Sequence, residues 1–234
     1  MFIMIDGIDG SGKSTVVSAW KKHLSDQGNA IFDLKDFLKE KNCYPEISEF
    51  KSYDFIFSAE PTYTAVGKTI REELINHNND YSALAIAQAY SLDRLILYKK
   101  NIIPLIEDKK IIIQDRGISS SLAYQTSQNQ DLTFDILLAL PGNKLAMEYR
   151  PDHLIIIKTS AHTAAERLST RSDKQDNSIF EKENFLKKLE DQFESSEYQN
   201  IFKQRGTQIH YLSGEEKIDI MEQQAIDLLK NILK

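Results

Sequence analysis

The chain has 234 residues, 41% of them hydrophobic and 27% charged, with only nine Gly and five Pro, which excludes collagen-like, low-complexity and disordered chains. Twenty-nine Lys and Arg against 35 Asp and Glu leave a net charge of −6, which lacks the basic footprint of a dedicated nucleic-acid binder. A single cysteine, Cys43, excludes an internal disulfide and a Cys-cluster metal site and points to a reducing, cytoplasmic compartment.

The opening MFIMIDG carries an acidic residue and no basic stretch, unlike a secretory signal. Residues 2–6 form the first strand candidate, and a helical pattern over 14–27 stops at Gly28. Residues 29–53 form a polar, charged insertion with room for a short helix over 33–41. A strand at 55–58 leads into helical patterns at 65–76 and 82–108, the latter interrupted at Pro104. The apolar run 111–115 is a strand, and 132–140 is a helix stopped by Pro141-Gly142, with Gly142-Asn143-Lys144 as a surface turn. Strands at 154–158 and 208–212 alternate with helices at 161–171, 181–198 and 217–234. Residues 169–179 are polar throughout and have the composition of a mobile loop. This alternation predicts βαβ units and a parallel sheet. With no repeat and no linker, it predicts one domain over 1–234. The apolar runs fall far short of the ~18 residues that span a bilayer, so a soluble protein without a membrane or nucleic-acid partner is expected.

Gly7-Ile8-Asp9-Gly10-Ser11-Gly12-Lys13-Ser14 matches G-x-x-x-x-G-K-[ST] at every fixed position, between an apolar strand and a helix. Glycines let successive backbone N–H groups turn onto phosphate oxygens, and the helix N-terminus adds partial positive charge. Lys13 would reach the β/γ-phosphates and the Ser14 hydroxyl would ligate Mg²⁺. A base-reading Asn-Lys-x-Asp of GTPases is missing, because Asn143-Lys144 is followed by Leu145-Ala146. The strand 111–115 ends in Asp115-Arg116. There a carboxylate suits Mg²⁺ and a guanidinium suits a transferring phosphoryl group. Ser119, Ser120, Ser121, Tyr124 and Gln125 follow and have the chemistry of an acceptor pocket.

The segments FIMIDGIDGSGKST, AEPT (59–62), AYSLDR (89–94) and DRGISSSLAYQ (115–125) together resemble the thymidylate kinase family. The resemblance implies a three-layer α/β P-loop kinase fold, with a parallel sheet of about five strands flanked by helices, and a mobile lid. It also implies ATP as donor, dTMP as acceptor, Mg²⁺ as cofactor and a homodimer. Gly7, Ile8, Asp9, Gly10, Ser11, Gly12, Lys13, Ser14 and Thr15 would bind ATP. Asp9, Glu60, Tyr90, Arg94, Arg116, Ser121, Tyr124 and Gln125 would bind the acceptor, with Tyr90 stacking on the base and Arg94 bonding a pyrimidine carbonyl. Lys13, Asp9, Arg116 and Arg171 would be catalytic, and Ser14 and Asp115 would hold the metal. Because position 10 is glycine, a cation acting on the γ-phosphoryl group would come from the lid, through Arg167, Arg171 or Lys174, ahead of the Phe180-Glu181 pair.

The chain departs from the family pattern at four residues and one insertion. Gly117 stands where an aromatic is usual, Ala59 and Ile179 where arginine is usual, and Tyr90 where phenylalanine is usual. Residues 29–53 are additional, and Arg71 or Lys68 could compensate for the lost cations. These changes leave open another deoxynucleotide or deoxynucleoside acceptor, or a nucleotide-binding regulator without transfer.

Overall fold

In a computed structural model, which describes residues 1–75, 80–170 and 183–234, six strands form one parallel sheet in the order β2-β3-β4-β1-β5-β6. The strands are β1 (Phe2–Asp6), β2 (Ile31–Asp33), β3 (Phe55–Ala59), β4 (Ile111–Asp115), β5 (His153–Lys158) and β6 (Gln208–Ser213). The order jumps from β1 to β4 on one side and to β5 on the other. The crevice at that switch point, beyond the C-terminal strand ends, is where ligands bind in open α/β sheets.

The pleat sends alternate residues of the central strands to opposite faces. Ile3 and Ile5 pack with Val16, Trp20, Met221 and Leu229 on the layer of α1 (Lys13–Asp26) and α12 (Ile218–Ile232). Trp20 Nε1 donates to Ala225 O at 2.7 Å and ties the two helices together. Phe2 and Met4 face the other layer. That layer holds α3 (Ala65–Thr69), α4 (Ala83–Leu97), α5 (Ile103–Glu107), α6 (Ile118–Gln128), α7 (Phe134–Ala139), α8 (Pro141–Glu148), α9 (Ala161–Ser169), α10 (Glu183–Glu194) and α11 (Ser196–Lys203). Among the described residues no helix is long and apolar enough to cross a membrane.

The sheet exceeds the expected five strands because β2, only three residues long, adds at the edge beside β3 before α2 (Leu34–Lys41) begins. α7 ends just ahead of Pro141-Gly142, as expected, but the pair also begins a second helix. Pro141 opens α8, where its missing N–H costs nothing. Gly142 and Asn143 are therefore buried against α4 and are not a surface turn. The helix expected at 181–198 is two, because Ser195 caps α11 through Tyr198 N at 3.2 Å. The lid region expected at 169–179 lies, beyond Thr170, outside the described residues.

A Cβ on Gly142 would meet Ser91 O at 1.8 Å, so the close α4–α8 contact requires glycine. Gly142→Ala should separate these helices, at the ~1–3 kcal/mol typical of overpacking. Thermal unfolding should shift down by roughly 2–4 °C per kcal/mol. An unchanged melting temperature would contradict this packing.

Candidate active site

The loop between β1 and α1 turns by positive-φ glycines. At Gly10 (φ +81°) a Cβ would lie 2.6 Å from Ala164 O, so neither the conformation nor the space admits a side chain. Gly12 begins α1, with Thr15 N and Val16 N both donating to Gly12 O. Lys13 Nζ donates to Gly7 O at 2.9 Å and Ile8 O at 2.7 Å, which anchors it inside the loop. Burial lowers its pKa to about 8, with Arg116 acting in the same direction and Asp9, Asp115 and Asp6 opposing.

Arg116, at the end of β4, has φ +66°, a costly conformation for a residue with a side chain and one found mainly where function demands it. Its Nη2 is hydrogen-bonded to Asp9 Oδ1, and its Nη1 donates to Ser120 Oγ at 3.0 Å and lies 3.7 Å from Asp6 Oδ1. Its guanidinium also lies 5.1 Å from the Tyr124 ring centroid, and Tyr124 OH donates to Asp9 Oδ2 at 3.2 Å. Ser119 and Ser120 both donate to Asp6, whose carboxyl burial pushes up despite Arg116 and Lys13. A Cβ at Gly117 would lie 2.5 Å from Met4 Cε and 2.8 Å from Gln114 Nε2, the ends of two flexible side chains that would have to shift for a larger residue.

These groups form one end of a cleft of about 320 Å³. At its other end Arg94, fully buried, lies 2.7 Å from Glu60 Oε2 as a charge contact. Arg94 donates to Ser121 Oγ at 2.9 Å and is also hydrogen-bonded to Asn143 Oδ1. Gln114 Nε2 donates to Glu60 Oε1 at 3.1 Å. Tyr90 and Gln125 line the same cleft, and burial raises the Tyr90 hydroxyl to about 12. Arg94 Nε, Gln125 Oε1 and Asp115 Oδ1 are buried without a hydrogen-bond partner among the described residues. Such atoms in a cleft wall carry a desolvation cost that a bound polar ligand would relieve.

Every expected site residue among those described therefore gathers in one cleft or its rim. Gly7, Ile8 and Ser11 build the loop, Thr15 lies in the first turn of α1, and Ser14 and Asp115 line the cleft. Arg167, on α9, donates to Gly10 O at 3.4 Å. Arg171, Lys174 and the Phe180-Glu181 pair lie outside the described residues. Sequence reasoning missed Asp6, Gln114 and Asn143. The first two carried a signal, as polar residues in otherwise apolar strands, whereas Asn143 was hidden by its resemblance to a turn.

This parallel sheet, with the glycine-rich loop after β1 opening on a polar cleft beyond the C-terminal strand ends, defines a P-loop protein. A thymidylate kinase family model matches residues 45–225. Similar proteins include a probable thymidylate kinase of Thermococcus onnurineus, 32% identical over 81% of this chain and 84% of that protein. Another, from Caldivirga maquilingensis, is 29% identical over 73% of this chain and 69% of that one. The thymidylate kinase of Chlorobaculum parvum is 33% identical over 65% of this chain and 58% of its own length. The chain belongs to the thymidylate kinase family.

Burial raises the Glu60 carboxyl to about 7, against the pull of Arg94. The folded chain therefore keeps this proton where the unfolded chain, near 4.5, has lost it. Stability linked to Glu60 is fully present below that lower value and falls as pH rises toward about 7, by up to ~1.4 kcal/mol per unit. Melting profiles of the parent and Glu60→Gln proteins should diverge across this window in favour of the variant. Parallel profiles would show that Glu60 does not titrate there.

Proposed function

We propose that this protein transfers the γ-phosphoryl group of ATP to dTMP, giving dTDP, and that residues 1–234 work as one P-loop kinase domain. The observation that carries this reading is the meeting of two chemistries in one cleft. A backbone phosphate cradle with Lys13 stands at one end, and a buried Arg94–Glu60–Ser121 cluster suited to a pyrimidine stands at the other. Asp9 and Arg116 lie between them, joined to each other and to Tyr124.

In this reading the P-loop amides and Lys13 hold the donor phosphates and offset the charge that spreads over the transferring group. Arg116 orients the acceptor's reacting oxygen toward them, while Asp9 and Asp6 hold Arg116 in place. Tyr90 offers a ring face to the base, and Arg94 and Gln125 offer hydrogen bonds to its edge. Asp115, with one buried oxygen lacking a partner, and Ser14 on the cleft wall fit a hard cation. They would hold Mg²⁺, which neutralises the donor's β/γ-phosphates when bound. Arg167, which donates to Gly10 O of the P-loop, would supply a cation to the γ-phosphoryl group; Arg171 and Lys174 lie outside the described residues. A cytoplasmic homodimer completes the reading. Leu84 and Leu92 leave an apolar strip on α4 at 43% and 48% exposure, which a second copy would cover.

Lys13→Ala should lower kcat at least ~100-fold in a coupled ADP-release assay while the melting temperature holds. Retained turnover would remove Lys13 from the chemistry. Arg94→Ala should raise KM for dTMP far more than KM for ATP, and equal effects would exclude Arg94 from the acceptor pocket. The same assay over dTMP, dUMP, dCMP, dGMP and thymidine tests the acceptor, and turnover of thymidine without dTMP would overturn it. Light scattering should give twice the chain mass, reduced to one by Leu92→Glu.

A further inference from the structure

The extra segment between α1 and β3 is not a surface ornament. β2 runs parallel to β3, so its C-terminal end opens on the cleft side of the sheet, and α2 starts directly there, capped by Asp33 through Asp36 N at 3.1 Å. The segment is fastened to the chain that follows Glu60. Thr64 Oγ1 donates to Asn42 Oδ1 at 3.2 Å, and Tyr44 OH pairs with Thr62 Oγ1 at 3.4 Å. Phe32 packs on Phe50 and Tyr53 beneath it, with centroids at 4.6 and 5.1 Å.

This anchoring brings three cations onto one ring. Lys35 and Lys39, on the same face of α2 one turn apart, hold their Nζ atoms 5.6 and 4.4 Å from the Tyr63 centroid. Arg71 stacks at 3.8 Å, its Nε donating to Pro61 O and Thr62 O. Lys35, Tyr63 and Arg71 line the cleft. Cation–π attraction offsets some of the mutual repulsion, but Lys35 also stands in the first turn of α2, where the helix dipole disfavours positive charge. No ion pair involves Lys35, Lys39 or Arg71 among the described residues. Of the neighbouring acids, Glu40 pairs with Lys41, Glu72 with Lys68, and Asp93 accepts from the backbone N–H and hydroxyl of Thr62, while Asp36 beside Lys35 and the field of Arg71 on Asp93 offset only part of the charge. Three cations on one ring, none of them in an ion pair among the described residues, favour an anion from outside.

Arg116, already paired with Asp9 and close to Asp6, carries little uncompensated charge, and β3 ends at Ala59, which brings none. We propose that Lys35 and Arg71, set on Tyr63, clamp the phosphate of the mononucleotide acceptor, with Lys39 strengthening the field at the mouth. The inserted strand–helix unit is thereby part of the acceptor site. The inference rests on the acceptor's being a mononucleotide.

Titration calorimetry of the full chain with dTMP and with thymidine tests it. Lys35→Gln should weaken dTMP about tenfold, as loss of a charged hydrogen-bond partner does, and leave thymidine within about twofold. Lys35→Arg should recover most of the loss, and Lys41→Gln, on the same helix but paired with Glu40, should match the parent. A dTMP affinity unchanged in Lys35→Gln would overturn the clamp, as would an equal loss for thymidine, which would mark Lys35 as a packing residue. If the parent binds another mononucleotide in preference, the acceptor assignment falls and the clamp is judged on that mononucleotide against its nucleoside. A parent that binds no mononucleotide sinks both readings.

Discussion

The site depends on one buried charge cluster, in which Arg116 at the end of β4 holds Asp9 of the P-loop and lies beside Asp6 at the end of β1. Asp6 is wholly buried and Arg116 largely so. Taking either sign out of water is costly unless the partner is present, so each fixes the other's position. The two strands are hydrogen-bonded neighbours in the sheet. The cluster therefore joins a phosphate loop from one βα unit to the cleft wall of another, and Ser119 and Ser120 complete the coordination of Asp6. The left-handed backbone at Arg116 is accounted for by this requirement.

The opposite end of the cleft has a different balance. Arg94 and Glu60 form a pair, but Arg94 Nε and, in the same cleft, Gln125 Oε1 are left without hydrogen bonds among the described residues. A pair that satisfied itself completely would be a structural rivet. One that keeps donors and acceptors in reserve at a cavity wall is suited to a flat polar ligand with an edge to read. The cluster near the P-loop is closed on itself, whereas this one is open.

Much of this was legible in the sequence because the determining constraints are local. The P-loop needs fixed spacing within eight residues, and the central strands are apolar on both faces, so Phe2–Asp6, Ile111–Asp115 and His153–Lys158 stand out. What escaped was set by tertiary contact. β2 is too short to show a period and exists because β3 offers it an edge. Pro141-Gly142 has the dipeptide chemistry of a stop, yet the Ser91 carbonyl needs a residue without a side chain beside it, so the same pair opens a buried helix. Asn143 consequently reaches Arg94 from 49 residues away, a partnership no local pattern encodes.

The topology also explains why an insertion at this point can bear on chemistry. In a parallel sheet all strands release their chains on the same side, so an added edge strand delivers whatever follows it to the ligand-binding rim. β2 is itself half-buried and contributes little core, but its direction sets the start of α2. An antiparallel addition at the same edge would have sent α2 to the far end of the sheet, with its lysines remote from Tyr63 and Arg71. Strand direction, more than the burial of β2, is what couples these twenty-odd residues to the cleft.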